Sequence, residues 1–149
     1  MTLTKLTMTE KQDKVVHQLS LRNTRLRDEV VTHFSNNVGR AFSENELKQV
    51  VCSPCDRTTI YRTIKTLLQK KFIHKVVCEN GVLKYALSPP ETSAANHVHF
   101  ECTTCEKVFC LKEYSLPLQR LPEIFNAESL HILIKGSCKE CEHCPSKNK

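Results

Sequence analysis

Two Cys-x-x-Cys pairs, Cys102-Thr-Thr-Cys105 and Cys138-Lys-Glu-Cys141, carry the clearest chemistry in this chain. Each pair can place two sulfurs on one metal from a single tight turn. Four thiolates make a closed tetrahedral zinc site. Residues 106–137 separate the pairs, more than the roughly 15–20 residues of a zinc ribbon, so further elements must fold between them. The competing reading is two disulfides or unpaired thiols. Ahead of the first pair lie His97 and His99, two apart, so a strand would point both rings the same way toward one ion. Cys52-Ser-Pro-Cys55 forms a third pair, open to reading as a redox couple, a metal half-site or plain turn residues. Cys144 and His143 follow the last pair as spare ligands on a tail expected to be disordered.

The chain has 149 residues and a formal net charge of +6. That length suits one ordinary domain or two small ones, and small domains short of apolar core gain from a structural metal. The polar start, Met1–Glu10, does not read as a signal peptide, and no apolar run reaches the roughly 18 residues of a membrane span. Nine cysteines without a secretion signal point to a reducing cytoplasm and to metal binding. Residues 1–88 hold 15 Lys+Arg against 8 Asp+Glu, whereas residues 89–149 hold 7 against 8. The basic excess therefore belongs to the first part, and it suits a polyanionic partner, nucleic acid before membrane.

The elements that must carry these residues follow from local signals. Thr9 with Gln12 opens a helix to about Leu19, and a second helix runs from about Thr24 to Ser35 with Leu26, Val30, Val31 and Phe34 on one face. Ser43 with Glu46 is a capping box for a short helix with Leu47, Val50 and Val51 facing inward. Pro54 breaks it, and Asp56 caps a longer helix to about Lys71. Two β-prone runs, His74–Cys78 and Val82–Leu87, flank the turn Glu79-Asn80-Gly81. Helices followed by a hairpin give the order of a winged helix-turn-helix over residues 1–88. A Pro- and Ser-rich linker occupies residues 89–96. Strands at His97–Cys102, Lys107–Leu111 and Leu130–Lys135, with a helix at Leu116–Phe125, fill residues 97–149. The fold class expected is α+β.

On the helix after Asp56, Ile60, Ile64, Leu67 and Leu68 form one apolar stripe. Arg57, Thr58, Tyr61, Arg62 and Lys65 lie off it near the helix start, where a recognition helix meets base edges and phosphates. Tyr61 reads equally as a core anchor. Thr59-Ile-Tyr-Arg62 with its hairpin resembles the ferric uptake regulator (Fur) family. So do His97-Val-His-Phe-Glu-Cys-Thr-Thr-Cys105 with Lys107-Val108, and Gly136-Ser-Cys-Lys-Glu-Cys141. The resemblance runs over roughly residues 10–144. It implies a homodimeric, metal-linked transcriptional regulator, with an N-terminal winged-helix domain and a C-terminal α/β dimerisation domain. Cys102, Cys105, Cys138 and Cys141 match the structural zinc ligands, one ion per subunit. Tyr61 and Arg62 match the DNA-contacting pair, and Arg25 matches an Arg ahead of the second helix. Operator DNA built as an inverted repeat is the implied partner, and repression the implied outcome.

The chain departs from the family at the second, sensory metal site. His97 and His99 are kept, but Cys110 stands where an acidic ligand is usual, Ala86 at the wing end and Ala41 where a His is expected. Val98 removes the Asp of a further family site, and His131 is out of register for it. A His97, His99 and Cys110 set would favour zinc over iron or manganese. His74 and Cys78, in the first wing strand, are candidates for the missing link. The competing reading is that no sensory metal binds. From other classes, a thiol-redox or zinc enzyme is disfavoured, because four Cys leave no open coordination position and no acid–base group is evident beside them. A zinc-stapled protein-interaction module is disfavoured by the basic first part.

Overall fold

The computed structural model describes residues 25–88, 97–114, 122–126 and 130–142. The helix expected at Thr9–Leu19 and the linker at residues 89–96 lie outside them. Helix α1 spans Arg25–Asn36 and buries Leu26, Val30, Val31 and Phe34, as its periodicity requires. It ends where Asn37 Nδ2 donates to the His33 carbonyl (2.9 Å) and Gly39 takes a positive φ of 85°. Strand β1, Arg40–Ser43, follows at once and was not foreseen.

Helix α2, Glu44–Val50, starts at the expected capping box: Ser43 Oγ accepts from Glu46 N–H, and the Glu46 carboxylate accepts from Ser43 N–H. Leu47 is buried, but Val50 is 46% exposed, a correction to its inward assignment. Seven residues make under two turns, and Leu47 alone reaches the core from them. Helix α3, Arg57–Gln69, is capped by Asp56, whose carboxylate accepts from Thr59 N–H (2.6 Å). Strands β2 (Ile73–Val77) and β3 (Leu83–Leu87) form the hairpin, with Gly81 at φ 74° in its turn. Strands β4 (Val98–Cys102) and β5 (Val108–Leu111) are antiparallel, and β6 (Ile132–Gly136) runs parallel to β4. A short helix α4, Lys139–Glu142, closes the described chain. Of the helix expected at Leu116–Phe125, the described end, Pro122–Phe125, is a turn closed by Phe125 N–H on the Pro122 carbonyl.

The six strands of the described residues join one mixed sheet in the order β2-β3-β1-β5-β4-β6. One face packs Phe42, Ile73 and Tyr85 against the helices, with Phe34, Leu47, Ile60, Ile64 and Leu67. The opposite face holds Ala41, Val76, Cys78, Ala86, Val108 and Cys110. Strand β1 lies between the two cores: Phe42 enters the first and Ala41 the second.

The sheet is rolled about that second face. Four strand spacings separate β2 from β4, which would be roughly 19 Å in a flat sheet. Yet His74 Nε2 on β2 lies 3.1 Å from His99 Nε2 on β4. An ion pair between Glu79, just past β2, and Lys135 on β6 spans the same gap. Small side chains at Ala41 and Ala86 leave the inside of the roll narrow enough for this closure.

Candidate metal centres and a basic helix face

Cys102 ends β4 and Cys105 closes the tight turn after it, where Glu106 N–H bonds the Cys102 carbonyl (2.9 Å). Cys138 and Cys141 sit at and in α4, tied by Cys141 N–H on the Cys138 carbonyl (2.9 Å). Parallel pairing of β4 with β6 brings the two knuckles together, because Cys102 lies opposite Gly136. The four sulfurs converge: Cys102 to Cys141 3.8 Å, Cys105 to Cys138 3.8 Å and Cys138 to Cys141 3.5 Å. A tetrahedron of Zn–S bonds sets sulfurs roughly 3.8 Å apart. These cysteines are free thiols, not disulfides. Burial alone would raise the Cys102 thiol, but hydrogen bonds from the Cys105, Cys138 and Thr104 backbone outweigh it and pull it down to about 6. One thiolate is thus ready at neutral pH, whereas burial raises the Cys105 thiol and hydrogen bonding with Cys105 and Cys138 raises the Cys141 thiol, so an ion must displace protons from these.

A second cluster forms inside the roll from His74, His97, His99 and Cys110. His99 and Cys110 are cross-strand partners on β4 and β5, and His97 directly precedes β4. His74 Nε2 is 3.1 Å from the Nε2 atoms of both His97 and His99, and 3.6 Å from Cys110 Sγ. One Nε2 can engage only one ring nitrogen through a single proton, so hydrogen bonding cannot account for this convergence. A tetrahedral ion with three N and one S ligand sets N···S at roughly 3.6 Å and N···N slightly closer, which these distances match. The residues therefore fit a zinc-type ion.

The electrostatics of this centre differ from the first. Burial, then repulsion from His97 and His99, lowers His74 to about 3. Burial, then His97, lowers His99 to about 4, and burial also lowers His97. All three rings are consequently neutral and ligand-competent at pH 7. Burial pushes the Cys110 thiol up to about 12, so an ion must displace its proton. The His99 ring is braced by a bond to the Ile132 backbone. Among the described residues, Nδ1 of His74 and of His97 has no hydrogen-bond partner. Two of the three rings thus lack the second hydrogen bond that would fix their orientation toward an ion.

His97, His99 and Cys110 thus meet as the sequence suggested, and His74 of the hairpin joins them. Cys78 is buried in the same interior, but its sulfur is not among the converging ligands. Ala86 is the cross-strand partner of His74, so the ring on β2 stands beside the β3 position that offers no ligand. Ala41 lies in the same interior without a ligand atom.

Arg57, Thr58, Tyr61, Arg62 and Lys65 all lie exposed on α3, opposite buried Ile60, Thr63, Ile64 and Leu67. Tyr61, 51% exposed, is not a core anchor. Arg25 Nε bonds Glu29 (3.2 Å) at the start of α1 and leaves most of its side chain in solvent. No described helix is long and apolar enough to cross a membrane.

The model of the ferric uptake regulator family matches residues 18–133. No curated protein matches the sequence at a significant level. Among solved structures, the chain is similar to a zinc uptake regulator complexed with zinc and DNA: 22% identity over 93% of this chain and 97% of that one, TM-score 0.59. It is similar to the Helicobacter pylori ferric uptake regulator, described as having three functional metal binding sites: 20% identity, 93% and 94% covered, TM-score 0.57. The Vibrio cholerae ferric uptake regulator is also similar, with 14% identity, 85% and 98% covered and TM-score 0.59. These structural likenesses establish a shared fold, and the match of the family model over residues 18–133 establishes the rest: this chain belongs to the ferric uptake regulator family.

Proposed function

We propose that this protein is a zinc-responsive, sequence-specific DNA-binding repressor acting as a cytoplasmic homodimer. Its family is one of transcription regulators, not enzymes. In this reading residues 1–88 form a winged helix-turn-helix, 89–96 a hinge and 97–149 the dimerisation domain. Cys102, Cys105, Cys138 and Cys141 hold one structural zinc per subunit. His74, His97, His99 and Cys110 hold a weaker regulatory zinc. Arg57, Thr58, Tyr61, Arg62 and Lys65 on α3 read the operator, with Arg25 on a phosphate. A twofold dimer presents two such helices to the half-sites of an inverted repeat.

The observation that carries this reading is the convergence of His74 with His97, His99 and Cys110. His74 lies on the strand that leaves α3 through Lys70–Phe72, while the other three ligands belong to β4, its approach and β5. An ion there ties the wing to the C-terminal strands. It favours the DNA-competent arrangement by the difference in its affinity for the two arrangements.

The test is to select duplexes from a random DNA pool with zinc-loaded protein. Binding to the selected duplex is then compared, by fluorescence anisotropy, between fully loaded protein and protein retaining only its structural zinc. Inverted-repeat duplexes whose affinity rises with zinc are expected. An affinity indifferent to every divalent ion would overturn zinc regulation.

A further inference from the structure

Cys52-Ser-Pro-Cys55 joins α2 to α3, and neither sulfur belongs to a metal-ligand cluster among the described residues. Both thiols are free. Cys52 is exposed, while Cys55 packs against the apolar cluster beneath α3. The chain bends at Ser53. Glu29 of α1 holds that bend: its carboxylate accepts from Cys52 N–H (2.7 Å), Ser53 N–H (3.0 Å) and Ser53 Oγ (2.7 Å). The residue after Cys55 is Asp56, the cap of α3. Two thiols therefore bracket a clamped bend that sets where the basic helix begins.

We propose that Cys52 and Cys55 are a thiol–disulfide site that detunes the basic face of α3. Its effect on DNA rests on the function proposed above. A disulfide needs Cα atoms within about 4.4–6.8 Å. A fully extended chain would hold these two roughly 10 Å apart. The bend at Ser53 shortens that separation, in the direction closure requires. The oxidant is a low-molecular-weight disulfide. The sulfur of exposed Cys52 attacks one of its sulfurs and expels the other as a thiol, leaving a mixed disulfide. Cys55 then attacks the Cys52 sulfur and expels the second small thiol. The protein loses two electrons and two protons, and one disulfide molecule becomes two thiols. Closure draws the Cys55 sulfur out of its packing and shifts the adjacent Asp56 cap, so the exposed Arg57, Tyr61 and Arg62 leave the register in which they were seated.

The full-length, zinc-loaded protein is equilibrated with oxidised and reduced glutathione at a series of ratios. Alkylation and mass mapping then read each cysteine. Anisotropy reads binding to the zinc-selected duplex. The expected result is a Cys52–Cys55 bridge at ratios that leave the zinc-bound cysteines unmodified, and at least a tenfold loss of duplex affinity that dithiothreitol reverses. Cys52→Ser should keep its reduced-state affinity throughout. Absence of the bridge, or an equal loss in Cys52→Ser, overturns the thiol site. A protein that forms the bridge but binds no duplex in any state overturns the DNA-binding reading, and with it the regulatory consequence.

Discussion

Zinc uptake by the second centre should release about one proton near neutral pH. Binding requires neutral imidazoles and a thiolate. Burial and mutual repulsion hold His74 at about 3 and His99 at about 4, and burial lowers His97, so the rings bring few protons to displace near neutral pH. Cys110, pushed up to about 12, brings one. Because the metal-bound state carries fewer protons, raising pH favours binding. The apparent association constant should rise about tenfold per pH unit, or about a hundredfold from pH 6 to 8. Three histidines at the usual value of about 6.5 would each be largely protonated at pH 6 and would take the release there above three. Moving the thiol from 9.0 to about 12 also weakens the site. At about 1.4 kcal/mol per unit, the penalty is roughly 4 kcal/mol, or a thousandfold. The assay is titration calorimetry on protein retaining only its structural zinc, in buffers of different ionisation enthalpy. Cys110→Ser should bring the release near zero. Two or more protons released at pH 6, or an unchanged release in Cys110→Ser, would refute this account of the site.

Cys105→Ser should lose the structural zinc and destabilise the C-terminal strands, because β4 and β6 carry the two knuckles; a mutant that keeps full zinc content in metal analysis would defeat the assignment. His74→Ala should abolish the zinc-dependent rise in duplex affinity as completely as His97→Ala with His99→Ala, and leave the four-cysteine zinc in place. A retained response in His74→Ala would free the wing from the metal. Arg62→Ala should weaken specific binding by about 1–3 kcal/mol in anisotropy. Wild-type affinity should fall steeply with salt. Unchanged binding by both Arg62→Ala and Arg57→Ala would remove α3 as the reader.

Much of the first centre was legible in the chain, because a Cys-x-x-Cys turn is local and its sulfurs meet whatever surrounds them. The Ser43–Glu46 capping box and the Asn80-Gly81 turn are local in the same sense. Strand β1 was not legible. It is four residues long, and its adjacent Ala41 and Phe42 are both buried, facing opposite cores, so it shows no alternation of apolar and polar residues. Val50 was misread because a helix of seven residues does not present its whole apolar set to one surface.

The second centre divides the same way. Spacing alone paired His97 with His99, and strand alternation turned both rings to one side. His74 was nameable as a candidate but not as a ligand, and Cys78 looked as good, since it directly follows the strand of His74 and lies on the same face. The choice between them belongs to the roll of the sheet. Narrow Ala41 and Ala86 let β2 come back over β4, and the β4–β5 register sets Cys110 opposite His99. Residues 23 and 25 positions apart in sequence meet at 3.1 Å only because three intervening strands curve between them. Curvature of that kind is a property of the packed sheet and leaves no mark on any one segment of the chain.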